Sequence, residues 1–346
     1  MPGIFLDNKS GRAFLNGNFS TFLIFFHILS NFDQGMNKIC FSILYILILS
    51  GLTFAGDEIK NFYGVTIVPQ YLAPGADYQT PYYIISSKKN KTPSPIVVID
   101  GGMHGDEVAG SYACDDLLIN LKVTQGTVII VPRLNKPACD KVTRTRYVNF
   151  NQIYDMNRNF PGNASRDMSN YEAIVADEFT NMIKEYTPVL VLNLHEDKDF
   201  NDDRVNRYDC EDFYMGQVLI SCHGKCDNFD FDALIDDTTL LYAQQLINTG
   251  MADDHKFTII NLPSAPEKGY SQDYFRDVLG IDSYTVETYR NGSFGSGAPV
   301  FEYGYELPNR VKLQIITCLS FLKTYDVGFE YADNDNLNTL TMPKRY

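Results

Sequence analysis

The chain has 346 residues, 45% hydrophobic and 21% charged, a globular composition with room for one or two domains. Its 43 Asp and Glu against 29 Lys and Arg give a net charge of -14 and a pI near 4.7. Such a surface argues against nucleic acid and anionic membrane as partners, and leaves room for a small cationic or zwitterionic substrate reached through a local basic patch.

Residues 19–29 are apolar but too short to span a bilayer, and His27 interrupts them. An export pattern begins at Met36: Lys38 gives a basic start, residues 39–49 an apolar run, and Thr53-Phe-Ala55 a cleavage site ahead of Gly56. The sequence predicts a start at Met36 and cleavage after Ala55. The mature protein is then exported, periplasmic or secreted, with no stable membrane association; an uncleaved anchor over 39–55 is the alternative. Residues 1–55 are thus an extension and signal, and 56–346 a single catalytic domain. Six cysteines remain there, an even count that permits disulfides, and Cys210, Cys222 and Cys226 are spaced for one local bridge. Cys222-His-Gly-Lys-Cys226 also reads as a metal site, but no fourth ligand is visible.

Residues 82–86 and 96–100 read as strands. Gly101-Gly102 breaks the second and delivers His104 and Glu107, three positions apart, ahead of a helix over 108–121. Residues 128–131 form another apolar strand, closed by Pro132. The segment 133–167 has no clear periodicity and carries many Arg, Asn and Gly; long structureless stretches inside compact domains are often functional. Tyr171, Ile174, Val175, Phe179, Met182, Ile183 and Tyr186 fall at helical spacing before Pro188. A buried strand over 189–194 ends at His195 and leads into an Asp-, Arg- and Cys-rich loop over 196–235. A helix follows over 238–248, then strands over 257–261 and 284–287, a last helix after Pro308 and a polar tail from Asp326. Strands alternating with helices predict an α/β fold, a mixed, mostly parallel twisted sheet with helices on both faces.

In such sheets, active groups collect beyond the carboxyl ends of strands. His104, Glu107 and His195 there make a two-His, one-carboxylate set with one position open, the pattern of a catalytic zinc. Glu287 also ends a strand and can accept a proton from water. Arg144, Arg146 and Arg158, with Asn157, make a local anion site in an acidic chain, because Arg binds carboxylates bidentately.

These motifs resemble the zinc carboxypeptidase superfamily, which includes carboxypeptidase A and the succinylglutamate desuccinylase/aspartoacylase deacylases. Gly-Gly-Met-His-Gly-Asp-Glu107 resembles the first metal motif, and Asp155-Met-Asn-Arg-Asn-Phe-Pro161 the substrate-carboxylate motif. Leu192-Asn-Leu-His-Glu196 resembles the third-ligand strand in its deacylase form, and the segment from Asp273 to Ser283-Tyr-Thr-Val-Glu287 the one ending in the catalytic Glu. The resemblance implies one zinc per chain on His104, Glu107 and His195, and Glu287 as general base and then acid. Asn157 and Arg158 would hold a substrate carboxylate, with Asp273 among the substrate-binding residues. The oxyanion arginine falls on Arg146, with Arg144 as the alternative. The mobile Tyr of carboxypeptidases has no counterpart, since its place lies near Ala265 and Pro266.

The expected activity is zinc-dependent cleavage of an amide beside a free carboxylate. The leading form is a metallocarboxypeptidase on peptides, cell-wall peptides included; an N-acyl amino acid deacylase is the alternative. A catalytically dead binding protein on this fold is less favoured, because a dead site loses a ligand or the base and all are present.

Overall fold

The computed structural model describes residues 4–7, 12–15, 58–73, 79–89, 94–147, 154–162, 170–197, 217–221, 237–251, 256–262, 264–289 and 307–332. The expected start at Met36, the signal over 36–55 and Cys210, Cys222 and Cys226 lie outside the described residues. The chain divides into two units, 1–55 and 56–346. In the first, β1 (Ile4–Asp7) and β2 (Arg12–Leu15) pair antiparallel.

The second unit opens with a small hairpin, β3 (Ile59–Lys60) and β4 (Thr66–Ile67). Its strands and helices then run β5 (Pro69–Leu72), β6 (Thr80–Ser86), β7 (Ile96–Gly101), α1 (Val108–Asn120), β8 (Leu121–Gln125), β9 (Thr127–Val131) and α2 (Lys136–Lys141). They continue with α3 (Tyr171–Tyr186), β10 (Leu190–Asp197), β11 (Val218–Ser221), α4 (Thr238–Asn248) and β12 (Thr258–Asn261). Last come α5 (Ser271–Asp273), β13 (Asp282–Tyr289), α6 (Leu307–Thr324) and β14 (Gly328–Tyr331).

Eight strands form the central sheet in the order β12-β11-β13-β10-β7-β9-β6-β5. The middle four, β13, β10, β7 and β9, are mutually parallel, as are β11 and β12; β11–β13, β9–β6 and β6–β5 are antiparallel. The parallel centre explains the sequences there: Ile96-Val-Val-Ile99 and Leu190-Val-Leu192 are covered on both faces, so they read as continuous apolar runs. Successive side chains alternate across the sheet. Val98, Ile129 and Val191 pack with Tyr171, Val175 and Phe179 of α3 on one face. On the other, α1 lies on β7 and β10 and packs against α6, which also meets β13 and α4. A Cβ at Gly110 of α1 would come within 2.8 Å of Leu194, which is why a residue without one sits there.

Four expectations are corrected. The helix over 108–121 stops at Asn120, and Leu121 begins β8 without a loop. The tail from Asp326 is not only polar: β14 pairs with β8, burying Tyr331 beside Leu121. The aperiodic 133–167 segment contains α2, whose Asn135 side chain caps Ala138 N at 3.4 Å, and a 3-10 turn at Met156–Arg158. The loop over 196–235 contains β11, a four-residue strand fully buried between β12 and β13. Among the described residues no helix is long and apolar enough to cross a membrane.

Candidate metal centre

The geometry starts at the end of β7. Gly102 has φ +68, and a Cβ there would meet Cys139 Sγ at 2.6 Å and Ser111 Oγ at 2.7 Å, so the turn needs glycine. Gly105 runs against α2, where a Cβ would lie 2.0 Å from the backbone of Ala138. This tight turn puts His104 just beyond the carboxyl end of the interior strand β7 and Glu107 at the N-cap of α1. His195 and Glu287 are in register on the adjacent parallel strands β10 and β13 and share a face with Asn193 and Thr285.

His104 Nδ1 and His195 Nδ1 lie 2.7 Å from Glu107 Oε1 and Oε2 respectively, and the two imidazoles meet edge-on with centroids 4.8 Å apart. One ligand atom from each of the three side chains falls within 4.8 Å of the others, and all three side chains are buried. Two imidazole nitrogens and a carboxylate, convergent and screened from solvent, fit a zinc-type ion with a further position open. Burial opposes the charge on Glu107, but His104 and His195 hold its carboxyl well below the usual range. Burial and Arg144 work against a charged His104, yet Glu107 and Asp155 raise it; burial prevails at His195, which is lowered.

Asp155 stands behind this set. Its Oδ1 is 3.1 Å from His104 Nε2 and accepts from Asn157 N at 3.0 Å, and its Oδ2 accepts from Arg144 Nε at 3.2 Å and Nη2 at 3.0 Å. With Nε2 directed to a carboxylate, His104 presents Nδ1 to the centre. Arg144 also reaches Glu107 Oε1, at 3.2 Å. Arg146 goes elsewhere: its Nε is 3.3 Å from Glu172 Oε1, and its guanidinium lies among the rings of Tyr147, Tyr154 and Tyr171. Arg144 is therefore the arginine placed at the centre.

A cavity of about 410 Å³ opens onto these groups, lined among others by Arg144, Asn157, Arg158, Lys268, Asp273 and Glu287. Asn157 is fixed by its Oδ1, which accepts from Ser271 N at 2.9 Å, and Arg158 stacks on Tyr270 at 4.2 Å while donating to Asn157 O at 2.7 Å. Asp273 is buried at the wall and accepts from Ala265 N at 2.7 Å. Glu287 has its Oε2 buried, and burial, then repulsion from Glu107 and Asp197, pushes its carboxyl well above the usual range. Asp155 was visible in sequence only as the first residue of a motif; Lys268 and Tyr270, brought in by the turn before α5, had no sequence signal.

The central parallel sheet with a candidate metal triad beyond its strands defines the class: this is a zinc carboxypeptidase-like fold. Residues 93–199 match the Succinylglutamate desuccinylase/Aspartoacylase catalytic domain. Over 103 residues the chain is 37% identical to the N-alpha-acetyl-L-2,4-diaminobutyric acid deacetylase of Halomonas elongata, which is 29% of this chain and 28% of that one. Among solved structures, the apo cell shape determinant protein Csd4 of Helicobacter pylori superposes with a TM-score of 0.55 at 18% identity, covering 75% of this chain and 59% of that one. Its mDAP-bound form, described as a D,L-carboxypeptidase, gives 0.51 at 19% identity over 72% and 55%. The chain thus spans under two thirds of the length of these relatives.

Proposed function

We propose that the chain is a zinc-dependent hydrolase that cleaves an amide bond next to a free carboxylate, with short peptides as the leading substrates. The observation that carries this reading is that the metal triad, Glu287 and the Asn157–Arg158 pair open into one cavity. His104, Glu107 and His195 would hold one zinc, which when bound supplies Lewis acidity to a carbonyl and acidifies water. Arg158, stacked and oriented, receives the substrate carboxylate as a bidentate partner, with Asn157 beside it. That contact fixes the scissile carbonyl in the cavity. Glu287, whose carboxyl burial holds above the usual range, takes a proton from the attacking water and returns it to the leaving nitrogen. Arg144 is the donor for the oxyanion. Carboxylates and cations line the same cavity, which suits a zwitterionic substrate such as a peptide end.

The tripeptide-bound and mDAP-bound forms of the Helicobacter pylori protein support cell-wall peptides as the source. The match over residues 93–199 and the deacetylase relative favour a second reading, deacylation of an N-acyl amino acid. On the leader pattern over 36–55, the protein acts outside the cytoplasm.

The test incubates the zinc-loaded protein with muropeptides and N-acyl amino acids, read by mass spectrometry, and compares kcat/KM for free-acid and amidated versions of the best substrate. Amidation should cost about 2–5 kcal/mol of transition-state binding, by analogy with truncating one side of a buried charged pair. Equal values would remove both readings in favour of an endopeptidase.

A further inference from the structure

Strand alternation places His195 and Glu287 toward the cavity and turns the side chains of the next residues, Glu196 and Thr288, toward the opposite face, although Glu196 also borders the cavity. There both meet α6. Arg310 Nη1 lies 2.9 Å from Glu196 Oε1, with both side chains essentially excluded from solvent, at 2% and 0% exposure. Glu196 Oε2 in turn accepts from Ala109 N at 2.9 Å, two residues after Glu107. One turn along α6, Gln314 Nε2 donates to the carbonyl of His195 at 2.7 Å and to Thr288 Oγ1 at 3.0 Å. A single amide thus ties the strand of the candidate ligand His195 to the strand of Glu287, at His195 itself and at the residue after Glu287. A buried ion pair is a poor source of stability, because desolvation offsets its attraction, so its effect here is geometric.

We propose that α6 braces the candidate site from behind the sheet, with Arg310 and Gln314 as positioning residues. Arg310 acts through Glu196 on the start of α1 and the end of β10. Gln314 acts through His195 O and Thr288 on the separation of β10 and β13. Neither touches the cavity, and both determine how closely His195 meets Glu107 and how Glu287 is aimed. This rests on the zinc-hydrolase reading for the identity of the ligands.

The experiment measures zinc Kd by competition with a chromophoric chelator, together with thermal unfolding, kcat and KM. The variants are Gln314→Met, the paired Glu196→Gln/Arg310→Met, which removes both charges at once, and Leu322→Ala, a buried position elsewhere on α6. Loss of an outer partner of a metal ligand weakens metal affinity by about 10–100-fold. That weakening is expected for the first two, with kcat falling and KM held, since Asn157 and Arg158 are untouched. Leu322→Ala should lower the unfolding temperature and keep the wild-type zinc Kd. Folded Gln314→Met and paired variants with wild-type Kd and kcat would overturn the brace. So would failure of both to fold, or equal zinc loss in Leu322→Ala, since either makes α6 a packing element alone. If Gln314→Met alone fails to fold, the paired variant decides. A wild-type chain that binds zinc and cleaves nothing would count against the hydrolase reading and leave the zinc comparison intact; one that binds no zinc would remove the premise of both.

Discussion

Asp155→Asn is the substitution with the most sharply defined expectation. The aspartate holds four donors on two oxygens: His104 Nε2 and Asn157 N on one, and Arg144 Nε and Nη2 on the other, all at 3.0–3.2 Å. Asparagine is nearly isosteric but keeps only one acceptor. If its oxygen stays with His104, its amide N–H groups face two guanidinium donors and Arg144 loses one of its two carboxylate partners, keeping Glu107. If it flips, a donor faces His104, which answers by moving its proton to Nδ1, the nitrogen that would face the metal. In either arrangement a largely buried charged pair is broken on one side, which costs about 2–5 kcal/mol. Converted at about 1.4 kcal/mol per tenfold, that is roughly 30-fold to several thousand-fold in kcat/KM. Zinc affinity should fall about 10–100-fold, as for other outer-sphere partners of a histidine ligand. Chelator competition gives the affinity, and steady-state kinetics on a free-acid substrate gives the rest. A folded variant within twofold of wild type in both would refute the idea that Asp155 orients His104 and Arg144.

Glu287→Gln should keep the fold and the zinc and lose turnover by a factor of about 100 or more, since the amide cannot accept the proton; near-normal single-turnover rates would move the base elsewhere. Glu172 offers a test of pH linkage: burial pushes its carboxyl from 4.5 up to about 7, against the pull of Arg146. The folded state therefore binds the extra proton between those values, and stability should fall as pH rises through that window. Denaturation midpoints of Glu172→Gln should show a flatter slope over the same range, and identical slopes would show that Glu172 does not titrate in that way.

The parallel centre of the sheet was legible because strands covered on both faces leave unbroken apolar runs, as at 96–99 and 190–192. The glycine turn before His104 was legible for the same reason, whereas the strand expected to end at His195 runs on as β10 to Asp197, its last residues polar but still paired with β13. What escaped was set by partners far away. β8 and β14 are short, and neither shows its edge until it pairs with the other. β11 is four residues inside a charged stretch. The sequence favours Arg146 over Arg144, and the structure reverses that order. Glu172 and Tyr171 at the start of α3, with Tyr147 and Tyr154, separate them by holding Arg146. The deacylase-like Glu196 is legible as a motif letter, but its partner Arg310 lies more than a hundred residues on and carries no pattern of its own.

The ribbon of β8 and β14 has a consequence for the order of assembly. Lys122 and Glu330 pair across it at a sequence separation of 208, and Ala332 N bonds to Asn120 O. Closure of so long a loop comes late, after local and mid-range contacts have formed. α6 enters the same event, since its C-terminal end feeds directly into β14. A ribosome-bound chain that has emerged through β13 already carries His104, Glu107, His195 and Glu287, yet lacks the helix that meets Glu196 and Thr288. By then every residue that lines the cavity has been synthesised, while α6, which meets Glu196 and Thr288 from the opposite face, has not.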